Sequence, residues 1–471
     1  MKKFLLLLAA FFCAAGLMAQ EFIPLKLSPE WSYYHNPVEK YDAWDPSAVT
    51  AVTETLGTAK REIVKLKPNG CFLHHNKPGW TTGVLVNEFE SDRAGNMLLH
   101  CGASAFRMKI AINGKMLFES RLSSSGGCFG KRGSHDLVLP VQKGKNVLAI
   151  SFLGAEFAVN EGNPEIYKAT LPTREHFKSI RYSAFGSRAR VLEQVILRNG
   201  VDQITIPIFE KLAHHPELSA EETEKIYQEY PVLEFYDKAL DKILKELPET
   251  KVEKGIVIWH LFNMGHVVKT PESTFGIDIY HRRSTALVPY LDFAIISHAH
   301  GDHNDKKFFD AMEAAGKKVF NNFRPEGTPN PPAAAQIKDV SMEFEATDHN
   351  KRLPRYICTS QITCGRGDNA VVIYHTGDSH NQEQFRPTRK IDVCIVHSRV
   401  GLSVPRTVEL LKPREIWFSH LLEMGHCKPS IWRPVDFREL YADLDILRAR
   451  KDPVIPRMPI WGEKFHILPA K

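Results

Sequence analysis

Short apolar runs alternate with turn residues from about residue 21 to residue 171, at 83–89, 97–101, 106–112, 115–118, 135–141 and 146–153. Asn113-Gly114 separates two of these runs and predicts a type I′ hairpin, because both central residues must accept a positive φ. Lys143-Gly144-Lys145-Asn146 marks a further turn. Many short antiparallel strands at this spacing predict a β-sandwich of jelly-roll type over residues 20–171. The pattern then changes period. Ser219-Ala-Glu-Glu222 is a capping-box helix start, and Ile226, Tyr230, Leu233, Leu240, Ile243, Leu244 and Leu247 follow at helical spacing. Pro231 should kink or split that run. Residues 172–250 thus read as a helical connector. From residue 251 to 471 strands and helices alternate, which predicts an α/β domain. Its expected strands include 256–259, 276–279, 293–296, 340–345, 356–362, 370–375, 393–396 and 416–418, with helices near 306–315, 407–411 and 434–450.

The first residues stand apart from this pattern. Lys2 and Lys3 precede an uninterrupted apolar stretch from Phe4 to Met18, and small residues close it at Ala19. The stretch reads as a secretory leader cleaved after Ala19, too short to span a bilayer. A periplasmic or secreted protein without stable membrane insertion is expected. With 471 residues and a net charge of +6, the chain is long enough for several cores and carries no nucleic-acid footprint. Seven cysteines follow the leader without metal-type spacing, and only Cys358 and Cys364 suggest a short bridge. The informative excess is histidine, with 21 in the chain and 13 of them after residue 250.

One passage gathers that excess: Phe293-Ala-Ile-Ile-Ser-His298-Ala-His300-Gly-Asp302-His303. An apolar strand runs directly into four metal-capable side chains. Side chains alternate along an extended chain, so His298 and His300 point the same way and can share one cation. The glycine lets the chain turn, and Asp302 and His303 can then reach a second one. The alternative, a helix start capped by Asp302 with histidines that merely pack, suits one or two histidines better than this whole set.

The passage resembles the metallo-β-lactamase superfamily. Four further stations of that pattern occur in order: Phe275-Gly-Ile-Asp278, Phe344-Glu-Ala-Thr-Asp-His349, Val372-Ile-Tyr-His-Thr-Gly377-Asp378-Ser379 and Lys412-Pro-Arg-Glu-Ile-Trp-Phe-Ser-His420. Their wording is most similar to the branch containing ascorbate-phosphate lactonase. The resemblance implies an αββα sandwich over residues 251–471, with His298, His300 and His349 on one divalent ion. Asp302, His303 and His420 would hold the second ion, Asp378 would bridge both, and Asp278 would support the histidine loop. Zn or Mn is implied ahead of Fe. Two such ions lower the pKa of a shared water and stabilise a developing oxyanion, so Asp302 and Asp378 would serve catalysis through them. The strand wording of residues 106–153 likewise resembles galactose-binding-like modules of secreted hydrolases. His281 and His397-Ser-Arg399 depart from the superfamily pattern.

His266, His380 and Arg399 are candidate substrate contacts near these stations, although buried histidines and surface arginines are more often structural. The expected function is a dinuclear metal-dependent hydrolase acting on a lactone or other ester of a small molecule, with sugar derivatives suited to the attached sandwich. The competing reading is a carbohydrate- or surface-binding protein whose α/β domain holds metal without catalysis. Diiron redox chemistry is disfavoured because His300 stands where such enzymes generally carry Glu.

Overall fold

The computed structural model describes residues 22–24, 27–37, 45–66, 71–73, 81–120, 123–124, 134–169, 171–180, 188–203, 212, 218–323, 333–397, 402–422, 424 and 437–470. The expected leader, Arg399, and the cysteines Cys128 and Cys427 lie outside these residues. The chain divides into two compact units. One is mainly the N-terminal region through Lys178, and the other holds most of the rest.

The first unit is β-rich. Its strands are β1 (Glu30–Pro37), β2 (Thr55–Leu56), β3 (Ala59–Lys65), β4 (Cys71–Leu73), β5 (Thr81–Ser91), β6 (Gly95–Ile112), β7 (Lys115–Ser120), β8 (Ser123–Ser124), β9 (Ser134–Val141) and β10 (Gly144–Glu161). The main path runs β2-β3-β1-β5-β10-β6-β7. Period-2 alternation sorts neighbours onto opposite faces. Tyr33, Leu85, Leu148 and Ile150 enter the main core, while Tyr34, Val84, Val86, Val147 and Ala149 form a second cluster. Asn113 and Gly114 have φ of 49° and 76°, as the expected hairpin requires. Two expected strands, 97–101 and 106–112, are one 18-residue strand. The small residues between them read as a break in the sequence. The β10 ladder carries straight across them, with its register shifts in β10 near Gly154.

The second unit is built on two sheets. Its strands are β11 (Ile256–Phe262), β12 (Gly265–Lys269), β13 (Thr274–Ile277), β14 (Phe293–Ile295), β15 (Lys318–Phe320), β16 (Ala334–Ile337), β17 (Val340–Thr347), β18 (Ile357–Cys364), β19 (Val371–His375), β20 (Val393–His397), β21 (Glu415–Ser419), β22 (Ile455–Arg457) and β23 (Lys464–Ile467). One sheet runs β15-β14-β13-β12-β11-β23 and the other runs in order from β16 to β22. A single core joins them: Ile258, Phe275, Phe293 and Ile295 of the first sheet pack with Met342, Ile362, Ile373, Ile395 and Trp417 of the second. β13 and β14 are parallel, as are β19, β20 and β21. The segments that leave the C-terminal ends of parallel strands therefore emerge along one edge of each sheet.

The helical segment begins as its sequence dictates. Ser219 accepts from the Glu222 amide at 3.1 Å, and Glu222 accepts from the Ser219 amide at 3.0 Å. Pro231 does split the run, by starting a new helix (Pro231–Glu249) at a position where no amide donor is needed. That helix buries Val232, Leu233, Tyr236, Leu240, Ile243 and Leu247. Its last turns bind the first sheet: the Trp259 indole donates to Glu246 at 2.9 Å and Lys269 donates to the Leu247 carbonyl at 2.7 Å.

One expectation fails. Cys358 and Cys364 are both free and buried. They lie six residues apart along β18, roughly 20 Å at the strand rise, far beyond what a disulfide bridges. Among the described residues, no helix is long and apolar enough to cross a membrane.

Candidate metal centre

The site forms where loops leave the C-terminal ends of strands in both sheets. β13 ends at Asp278, whose φ of 44° turns its fully buried side chain back under the neighbouring loop. Its carboxylate accepts from the Ser297 amide at 2.6 Å, the Ser297 hydroxyl at 2.7 Å and His303 Nδ1 at 2.8 Å. These three bonds fix the loop that follows β14 and leave His303 Nε2 facing the site. β19 leads through Gly377 to Asp378. The glycine has φ of 49°, and a Cβ there would stand 2.8 Å from both Ile357 Cγ2 and Ser297 Cβ. Only glycine lets the Asp378 turn pack this closely on the histidine loop.

All seven side chains that the resemblance named as ligands come together. One ligand atom each from His298, His300, His349 and Asp378 lie within 4.8 Å of one another, and so do those of Asp302, His303 and His420. A third such group joins Asp378 and His420 to His397. His303 Nε2 is 3.2 Å from Asp302 Oδ2 and 3.2 Å from Asp378 Oδ1. His420 Nε2 is 2.9 Å from Asp302 Oδ2 and 3.8 Å from Asp378 Oδ2, and His298 Nε2 is 3.8 Å from that same Asp378 atom.

The electrostatics call for positive charge. Asp278, Asp302 and Asp378 are all but completely buried, and three carboxylates without a compensating cation are costly in such a place. Burial opposes a charge on His303, yet the Asp378, Asp302 and Asp278 carboxylates raise its pKa well above the ordinary value. Burial also works against the Asp378 carboxylate, yet His303, His397 and His420 hold its pKa well below the usual range. Burial pushes His298 and His397 well below the ordinary value, so their imidazoles are neutral donors. His298 Nε2 is buried and has no hydrogen-bond partner. Neutral imidazole lone pairs beside ionised carboxylates fit divalent cations, and this is a donor set of borderline-hard type.

Asn263 is a contributor that sequence reasoning missed. It sits at the tip of the β11–β12 hairpin with φ of 56°. Its side-chain amide donates to Asp302 Oδ2 at 3.0 Å and lies 3.1 Å from His420 Nε2. Its carbonyl accepts from the His420 amide at 3.1 Å and from the Ser419 hydroxyl at 2.6 Å. One residue of the first sheet thus holds the His420 turn at the end of the second. An Asn between apolar residues reads as an ordinary hairpin turn, so the sequence carried no sign of this.

The candidate substrate contacts divide. His380 is half-buried on the open side, its ring 5.1 Å from that of His349. The ring of Tyr356, also half-buried, stands 5.2 Å from that of His300. His266 is fully buried on β12 instead, donating from Nδ1 to the Met264 carbonyl at 2.8 Å, its ring 4.9 Å from that of His260. His281 lies against the helix Pro231–Glu249, stacked on Tyr236 at 4.0 Å and donating to the Tyr236 carbonyl at 3.2 Å.

No family model matches the chain, and no curated protein does. Among solved structures, it is similar to Igni18, a metallo hydrolase from Ignicoccus hospitalis: identity is 15%, TM-score 0.33, covering 45% of this chain and 99% of that one. CmlA, a diiron β-hydroxylase from Streptomyces venezuelae, is 10% identical with TM-score 0.34, over 55% of this chain and 62% of that one. A candidate Zn-dependent hydrolase of the metallo-β-lactamase superfamily from Thermotoga maritima is 13% identical with TM-score 0.28, over 43% and 98%. All three scores are low, so the argument for the site rests on its own geometry.

Proposed function

We propose that this chain is an exported, metal-dependent hydrolase of the metallo-β-lactamase superfamily that works with two divalent cations, Zn or Mn. The observation that carries the reading is the pair of buried donor groups meeting at Asp378, one of three imidazoles and this carboxylate, the other of Asp302, His303 and His420. His298, His300 and His349 would hold the first ion, Asp302, His303 and His420 the second, with Asp378 between them. When bound, such a pair supplies Lewis acidity and a hydroxide nucleophile near neutral pH.

The chain's own residues do the rest. Asp278 fixes the tautomer of His303 by accepting from Nδ1, which points Nε2 into the site. Asn263 orients the Asp302 carboxylate and anchors the His420 turn. His380 and Tyr356, half-buried beside His349 and His300, border the side from which a substrate would enter. The substrate favoured by the motif wording is a lactone or related ester, and the β-rich unit, read as a galactose-binding-like sandwich over residues 20–171, favours a sugar derivative. A leader over residues 1–19 would direct the protein to the periplasm or beyond, with residues 172–250 connecting the sandwich to a catalytic domain at 251–471.

Elemental analysis of the purified protein, paired with hydrolysis assays on lactones, phosphodiesters and β-lactams, tests this. The expected result is two ions per chain and lactone turnover that His300→Ala abolishes. A protein without bound metal that does not take it up would overturn the proposal. Metal uptake with glycan affinity that survives chelation and no turnover would favour the binding-protein reading.

A further inference from the structure

The third donor group was not expected from the sequence pattern, and it lies on the most ordered part of the site. β19, β20 and β21 are three adjacent parallel strands. Asp378 follows the first, His420 follows the third, and His397 is the last residue of the middle one, paired in register with Ser419. Topology therefore delivers His397 to the same edge as two proposed ligands, between their strands. It is buried to 1% exposure, and one of its ring nitrogens lies within 4.8 Å of ligand atoms of both Asp378 and His420. Its ring also stacks on that of His420, 3.8 Å away and 14° from parallel. A strand-terminal imidazole in this position needs a reason, since an apolar side chain would fill the space at lower desolvation cost.

We infer that His397 is an additional ligand of the second cation, joining Asp302, His303, Asp378 and His420. This rests on the dinuclear reading above and adds to it an asymmetry between the two positions. The first has three imidazoles and one carboxylate. The second has three imidazoles and two carboxylates, a donor count that suits five- or six-coordinate ions better than tetrahedral zinc. The inference also separates two jobs that the geometry permits for His397: donating to a cation, or serving only as a flat plate against which the His420 ring is held.

Substitution distinguishes them. His397→Phe keeps a planar ring over His420 and removes the nitrogen donors; His397→Leu keeps comparable apolar volume without the ring. Both variants and the unaltered protein would be stripped of metal and titrated with Co(II). Bound ions would be counted by elemental analysis, and coordination followed by visible d–d absorption, with folding checked by urea denaturation. The unaltered protein should bind two Co(II), one with the weak absorption of five or six donors. Both variants should hold one ion as before and bind the other at least as weakly as the roughly 10–100-fold loss seen when a ligand's supporting partner is removed. The spectrum of that weaker ion should intensify as its coordination number falls. If either folded variant binds two ions with unchanged affinity and spectrum, His397 is not a ligand and the inference fails alone. If the unaltered protein binds no ion, the proposed function fails and takes this inference with it.

Discussion

Asp278, Gly377 and Asn263 show how single residues set the geometry of the centre without being its named donors. Asp278→Asn would leave one amide hydrogen facing a group that now donates to the carboxylate, either Ser297 or His303. It should lower metal affinity by roughly 10–100-fold, measured by competition with a chromogenic chelator. Asn263→Gly keeps the left-handed backbone and the carbonyl that holds His420, and deletes only the amide that orients Asp302. One of the two ions should weaken by a similar factor, whereas Ser419→Ala, which loosens only the backbone clip, should affect metal binding less. Gly377→Ala brings a methyl group within 2.8 Å of Ile357 and Ser297. Its combined backbone strain and overpacking should destabilise the fold by about 2 kcal/mol or more, read as a lower urea midpoint. Of these three positions, Asp278 was legible as a motif station. Gly377 was legible as part of the Gly-Asp pair, but its close packing on Ser297 was not, because the contact joins segments 80 residues apart.

At the scale of elements, the helix Pro231–Glu249 does more than connect. It covers His281, where burial holds the imidazole pKa down at about 3 despite the neighbouring Asp237 carboxylate. His260 on β11 is likewise lowered to about 3 by burial. Both groups are neutral when folded and titrate near 6.5 when unfolded. Below pH 6.5 the unfolded chain takes up protons that the folded chain refuses, so stability falls as pH drops from 6.5 toward 3. The expected loss by pH 5 is about 2 kcal/mol per histidine, on the scale of 1.36 kcal/mol per pH unit. Urea midpoints compared at pH 7.5 and pH 5 should show it, and His281→Gln should reduce the pH dependence by about one histidine's share. Element type was readable where periodicity was strong, as in the capping box at Ser219 and the strand that enters the histidine motif. Element extent was not: β6 absorbed two expected strands, since ladder pairing with β10 overrides the breaker signal of small residues. The helix Val404–Leu411 begins before its expected start at residue 407, because the Ser403 hydroxyl caps its first turn.

For the whole molecule, two sheets meet over one core, and the centre closes the ends of their parallel strands. Cations that bind only the assembled site stabilise the fold by mass action, about 2.7 kcal/mol per ion at a hundredfold excess over its dissociation constant. Chelation should therefore lower the melting temperature, and readdition of metal should restore it, as calorimetry would show; an unchanged melting curve would count against a site formed by folding. The sequence alone determined the alternation of strands and helices and the identity of the seven expected donors, because both are written in local spacing and side-chain chemistry. It could not determine that His397 joins them, that Asn263 braces them, or that His266 and His281 are buried away from them. Those facts depend on which strand ends share an edge and which loops touch across the sheets. Such distances are set by long-range packing, and no residue's neighbours along the chain encode them.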